Sequence, residues 1–171
     1  MHHRTTRGAT IGALLLAAAA CDAGAPIVTP GDDPPDAART TIGPLVATLQ
    51  LPMSEVMPGG TFVVRYQLSN LSSDSVRLEL ACTSDVTFRL LAPDGSAVTP
   101  GGCLTAITTR TLAPGGFILH DFPMRAERPG LVPTPLPAGR YVLVAEPNVL
   151  RIDGVDVTAT PLSLTRSLQV R

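Results

Sequence analysis

From Gly43 onward the chain alternates apolar and polar side chains. Leu45, Ala47, Leu49 and Leu51 alternate with Val46, Thr48 and Gln50. Phe62, Val64, Tyr66 and Leu68 do the same around Val63, Arg65 and Gln67. Val76, Leu78 and Leu80 follow, then Val86, Phe88 and Leu90. Successive side chains of an extended chain point to opposite faces, so each run buries one face and wets the other. Strands are predicted there and over 106–112, 117–122, 139–146 and 162–170. Pro58-Gly59-Gly60, the polar run from Asn70 to Asp74, Pro93-Asp94-Gly95, Pro114-Gly115-Gly116 and Asp153-Gly154 supply turn chemistry between them. No long stretch after residue 20 has helical periodicity. Seventeen prolines and fifteen glycines argue the same way. The expected fold is all-β, an immunoglobulin-like antiparallel β-sandwich of about seven to nine strands. The likeness is one of architecture, because the chain has no tryptophan to pack on an inter-sheet disulfide.

The start of the chain follows another pattern. His2, His3, Arg4 and Arg7 make a basic segment, and Ile11 to Ala20 is apolar. Ten helical residues reach about 15 Å, roughly half the hydrocarbon core of a bilayer, so this is a secretory signal rather than a span. Ala18-Ala19-Ala20-Cys21 resembles the lipobox of bacterial lipoproteins, with Ala18 where that family prefers leucine. The resemblance implies that the thiol of Cys21 takes a diacylglycerol (palmitate-type chains) and becomes the mature N-terminus. The other reading is an ordinary secretory signal beside an unrelated cysteine. Two or three acyl chains would hold firmly, since each buried methylene contributes about 0.8 kcal/mol. Asp22 resembles the inner-membrane retention signal of enteric bacteria, a rule tied to that lineage, so inner and outer membrane both stay open. Residues 22–41 hold four prolines and few large apolar side chains, the composition of a disordered tether. The expected organisation is a lipoprotein signal peptide over 1–20, lipidated Cys21 and a flexible linker over 21–42, and the sandwich over 43–171.

Charge and cysteines narrow the function. Without Arg4 and Arg7, eleven arginines face fourteen acidic residues, and the chain has no lysine. No basic cluster tracks a phosphate backbone, and with two Tyr and four Phe little is available for stacking, which argues against nucleic acid. An exported chain sits where disulfides persist, so Cys82 and Cys103 are expected to pair across the twenty residues between them, the alternative being two buried thiols. Such a loop contributes about 3 kcal/mol in the chain-entropy account. One histidine after Cys21, His120, is too few for a Cys/His zinc site; no metal and no cofactor is expected.

Catalytic signals are sparse. His120 precedes Asp121, but on a strand the two diverge, so they make no dyad and His120 is expected on the exposed face. No G-x-S-x-G elbow is present. Asp153-Gly154-Val155-Asp156 lacks enough oxygen ligands for calcium and reads as a hairpin turn. Tyr141 is placed to bond a nearby backbone group, as corner tyrosines do, or to fill the core. Residues 125–137 are long for a connection and carry four prolines. Proline stiffens a loop before binding, so Arg125, Arg128, Leu131 and Val132 are candidates for a partner-binding loop, against a plain crossover between sheets.

The order of motifs resembles a known family. FVVRYQLSNLSSDSVRLEL (62–80), TFRLLAPDGSAV (87–98), TLAPGGFILHDF (111–122) and PAGRYVLVAE (137–146) are similar to the intracellular proteinase inhibitor (BsuPI) domain and to related immunoglobulin-like domains of bacterial lipoproteins. That family often carries tryptophans, absent here, and its name refers to a cytoplasmic inhibitor. The resemblance implies a sandwich that binds a protein, in one version a protease. The expectation is therefore a non-enzymatic, membrane-anchored lipoprotein of the cell envelope, outside the cytoplasm, with a protein-binding role. The alternatives are a hydrolase using His120 and an accessory subunit of an envelope complex.

Overall fold

Alternation becomes pairing because each half-apolar strand can cover its backbone only by lying beside another and its side chains only by facing another sheet. The computed structural model describes residues 37–99, 102, 105–157 and 162–171. They fall in one compact unit, Asp33–Arg171. The chain runs through β1 (Ala38–Ile42), β2 (Leu45–Gln50), β3 (Glu55–Val56), β4 (Thr61–Asn70), β5 (Val76–Cys82), β6 (Val86–Leu91) and β7 (Thr105–Leu112). It continues through β8 (Phe117–Arg125), β9 (Glu127–Arg128), β10 (Thr134–Pro135), β11 (Gly139–Pro147), β12 (Val149–Ile152), β13 (Val155–Asp156) and β14 (Leu164–Val170). The fold is an all-β sandwich, and no helix occurs among the described residues.

One layer has the order β1-β2-β4-β8. The other is a bent layer of two four-stranded sheets, β3-β14-β11-β6 and β13-β12-β5-β7. β5 and β6 are two halves of one strand broken at 83–85, and β11 and β12 are halves of its neighbour, broken at Asn148. Asn148 stitches the bend: its backbone N–H donates to the Asp85 carbonyl at 2.9 Å and its carbonyl accepts from Ala81 N–H at 2.8 Å. Its side-chain amide donates to the Ser84 carbonyl and to Thr87 Oγ1, both at 3.0 Å. All strand pairs are antiparallel except β3 with β14.

Between the layers lie Phe62, Val64, Tyr66 and Leu68 of β4, all fully buried, against Leu78, Leu80, Leu90 and Leu143 of the bent layer. The alternation read from the sequence is this core. At one end of the sandwich Asn70 closes the corner between the layers. Its amide donates to the Asp74 carbonyl at 2.7 Å and shares its other hydrogen between the Leu112 and Ala113 carbonyls. Its Oδ1 accepts from the N–H and hydroxyl of Ser72.

Two readings change. β1 starts at Ala38, inside the stretch expected to be linker, because Ala38 to Ile42 pair in register with Leu49 back to Leu45. Six short strands join the eight expected from periodicity. β3, β9, β10 and β13 have two residues each, too few to show a period. The Asp153-Gly154 turn is a two-residue hairpin with both φ angles positive, 51° and 81°, which closes β12 on β13.

Candidate functional site

The bend between β5 and β6 re-aims one side chain. Asp85 sits on it, beside buried Val86, and instead of pointing to water it enters the open side of the sandwich, 1% exposed. Bulges do this often next to functional sites. From the facing layer, β8 sends its even-numbered side chains inward, His120 among them. His120 Nε2 and Asp85 Oδ1 meet at 2.8 Å, the imidazole being 34% exposed. The expectation of an exposed strand histidine is thus corrected. β8 presents His120 to the interior, and the carboxylate that holds it comes from the bend, not from the neighbouring aspartate. Asp121 faces outward and takes a two-pronged pair from Arg65 on β4, at 2.7 and 2.8 Å. Those hydrogen bonds hold the Asp121 carboxyl below its ordinary range and raise the Arg65 guanidinium.

Aromatic rings floor the pair. Phe122 lies 5.3 Å from the His120 ring and 4.8 Å from Phe88, whose edge meets Tyr66 at 6.4 Å. Tyr66 is fully buried and its hydroxyl has no hydrogen-bond partner; neither has the second oxygen of Asp85. Burial first, and the Asp85 charge second, push the Tyr66 phenol far above its ordinary range. It therefore stays protonated at any physiological pH. Asp85 and Tyr66 were not singled out from the sequence. The available signal was an acidic residue in the short polar break between two apolar-alternating runs, where a surface turn is the ordinary expectation.

The second feature is the segment read as a binding loop. Ala126, fully buried, pins its base: its N–H donates to the Gly60 carbonyl and its carbonyl accepts from Gly59 and Leu136 N–H. Leu136 is buried on the other side. Between them β9 pairs with β10, so 125–137 is a hairpin and not a crossover strap. Its tip, Pro129-Gly130-Leu131-Val132-Pro133, projects Leu131 at 108% and Val132 at 78% exposure. Arg125 is tied at the stem, to Glu127 at 2.8 Å and to the Gly59 carbonyl at 3.2 Å, and Arg128 is exposed beside the tip. A shallow hollow of about 250 Å³ runs between Thr99, Met124 and Pro133 at the stem.

Other candidates are engaged in structure. Tyr141 donates to the Pro137 carbonyl at 3.0 Å, a corner tyrosine fixing the exit of the hairpin. Asp153 Oδ1 accepts from Arg77 N–H at 2.8 Å, and Asp156 pairs with Arg151. Among the described residues no three His, Cys, Asp or Glu side chains gather as a metal-ligand set. Cys82, at the end of β5, is buried and disulfide-bonded. Cys103 and Cys21 lie outside the described residues.

No family model and no curated protein matches the chain. Solved structures that match include a β-glucosidase from Erythrobacter marinus, at 12% identity and TM-score 0.44, covering 72% of this chain and 15% of that one. A β-glucosidase from Listeria innocua in complex with gluconolactone matches at 13% and 0.42, covering 74% and 16%. The CARDB domain of the PF1109 protein from Pyrococcus furiosus, in complex with di-metal ions, matches at 15% and 0.40, covering 78% and 94%. The chain thus spans about one sixth of the glucosidases it matches. These likenesses assign no activity.

Proposed function

We propose that this chain is a lipid-anchored, extracytoplasmic module of the cell envelope that acts by holding a protein partner. Cys21 would carry the lipid. The observation that carries the binding role is the outer side of β8. Phe117 and Leu119 stand there 50% and 41% exposed, on a strand that pairs on one side only among the described strands. An open edge offers backbone donors and acceptors, and alternate apolar side chains offer selectivity, the chemistry of strand addition. Both residues lie at the Asn70 end of β8, away from the hairpin. Pull-down from native envelopes tests this. Phe117→Asp and Leu119→Asp are expected to lose a partner that Ile107→Asp, an exposed position on β7, retains. An unchanged set of captured proteins in both variants would remove the face from consideration.

Two other readings have a specific observation each. The resemblance to the BsuPI domain supports a proteinase inhibitor, with Arg125, Arg128, Leu131 and Val132 entering a protease cleft. Inhibition of a protease panel that disappears when the 129–133 tip is shortened would favour it. A hydrolase using His120 would have the Asp85 carboxylate to fix the imidazole, held here through Nε2 and not through Nδ1 as in the serine-protease triad. Labelling by a serine-hydrolase probe, lost in His120→Ala, would favour an enzyme.

A further inference from the structure

We infer that the occupant of the β8 edge is a second copy of this chain, with Phe117 to Asp121 of the two copies pairing antiparallel about a two-fold axis at Leu119. The inference rests on the strand addition proposed above and names its occupant. The direction of the backbone groups comes first. β8 pairs with β4 in one unbroken register, from Thr61↔Arg125 to Ser69↔Phe117. Just beyond the two ends, Asn70 N–H donates to the Gly116 carbonyl and Ala126 N–H to the Gly60 carbonyl, both at 2.8 Å. Even-numbered residues of this stretch therefore bond to β4, and odd-numbered ones turn their N–H and C=O to the open side. Pro123 agrees, since it has no N–H to give Val63, its neighbour on β4. Phe117, Leu119 and Asp121 thus offer donors and acceptors at strand spacing, and Pro123 breaks the row.

Two other edges are guarded. Along the free side of β6 lie Ala97 and Val98, through the Leu91↔Ala97 bridge and the bond from Val98 N–H to the Leu90 carbonyl. β7 sets exposed Arg110 opposite fully buried Leu78, on the face that also holds buried Leu112. A covering segment, an inward charge or a proline keeps an edge from pairing. On β8 the proline stands at 123, and the stretch before it is bare, with Phe117 and Leu119 half exposed on its outer face.

The sequence that fits this stretch is its own. Antiparallel pairing centred on Leu119 sets Leu119 against Leu119 and Phe117 against Asp121 in both directions. Every open donor and acceptor of those residues is then met in both copies. Pro123 falls opposite Gly115, whose N–H is already given to the Asn70 carbonyl at 3.1 Å. Other centres fit less well. One residue nearer the hairpin, Pro123 enters the ladder opposite Phe117. Two nearer, it lies opposite Leu119 and Asp121 faces Asp121, like charges that repel. One nearer the turn, Asp121 lies opposite Gly115, outside β8. In the Leu119 register the outer faces also match. Leu119 covers Leu119, and Phe117 comes beside the Asp121–Arg65 pair of the other copy, a ring next to a guanidinium. The edge is thus self-complementary, which a two-fold contact requires and an edge kept for a foreign strand does not. The contact is short beside the roughly 1,200–2,000 Å² of a lasting interface, so the dimer exchanges and is read by trapping.

Full-length protein in its native membranes, carrying Leu119→Cys, Phe117→Cys or Val155→Cys, is treated with a mild thiol oxidant. At a hydrogen-bonded pair the Cα atoms stand about 5.5 Å apart, a spacing that a disulfide spans. Leu119→Cys is expected to run at twice the monomer mass on a non-reducing gel. Phe117→Cys, offset from itself along the ladder, and Val155→Cys, exposed on the β12–β13 hairpin, should stay monomeric. Phe117→Cys should instead cross-link to a differently tagged Asp121→Cys copy. Leu119→Pro removes an N–H that points away from β4. Its circular dichroism should match the parent's, and a tagged copy should no longer capture an untagged one. A monomeric Leu119→Cys overturns the inference, and so does trapping of Val155→Cys as readily as Leu119→Cys, which is random collision. If the tagged chain then still captures an envelope protein that Phe117→Asp loses, another protein occupies the edge and the strand-addition reading stands. If it captures none, both fall together.

Discussion

Tyr66 and Asp85 hold the least satisfied atoms of the described core. A buried hydroxyl without a partner costs about 1–3 kcal/mol, so Tyr66→Phe is expected to be neutral or stabilising at pH 7, measured by urea unfolding. The same substitution should change the alkaline limb. The Tyr66 phenol is raised in the folded state, so its contribution is present below the unfolded value of about 10 and is lost as pH rises above it. Tyr66→Phe should therefore retain more stability than the parent above about pH 10; an identical alkaline slope would contradict the burial of this hydroxyl. The two neighbours on β8 should behave unequally. His120→Ala strands the Asp85 charge in the interior and should cost about 2–3 kcal/mol, less than a fully enclosed pair because the imidazole is partly wet. Asp121→Asn breaks only an outward pair and should cost less than about 1 kcal/mol. Asp121 is depressed when folded, so what it contributes is present above about pH 4 and fades as pH falls through its lower native value. Asp121→Asn should flatten that acid limb.

At the level of the element, the bend through Asp85 and Asn148 decides what the sandwich presents. Asn148→Ala removes both side-chain donations across the break and should cost about 1–3 kcal/mol in urea, with an unchanged m-value. It should also loosen the Asp85–His120 contact, read as a change in the His120 ring resonances. The bend was not legible in the sequence. Periodicity carries information only where three or four alternations accumulate, and residues 83–85 hold none. The long runs around Leu45, Phe62, Val76, Val86 and Leu143 were legible because each buries one face against the other layer. β1 was obscured by its edge position and by the Pro- and Asp-rich context before it. The hairpin over 125–137 was visible as a proline-rich segment, but its two-residue ladder depends on Ala126 and Leu136 finding buried seats, which no local pattern states. Tyr141 was legible as a corner candidate because Gly139 and the strand start lie beside it.

For the molecule as a whole, the sandwich has two unlike ends. The hairpin tip stands at one, and Asn70, the Phe117 end of β8 and the Asp153-Gly154 turn share the other. The proposed role gives the second end its task, toward a protein. The whole account turns on the state of Cys21. Intact-mass measurement of the protein extracted from its native membranes addresses it directly. The expected species begins at Cys21, carries a glycerol-linked set of fatty acyl chains, and takes up no thiol label at Cys82. A species that begins at Met1 with Cys21 unmodified would contradict the account.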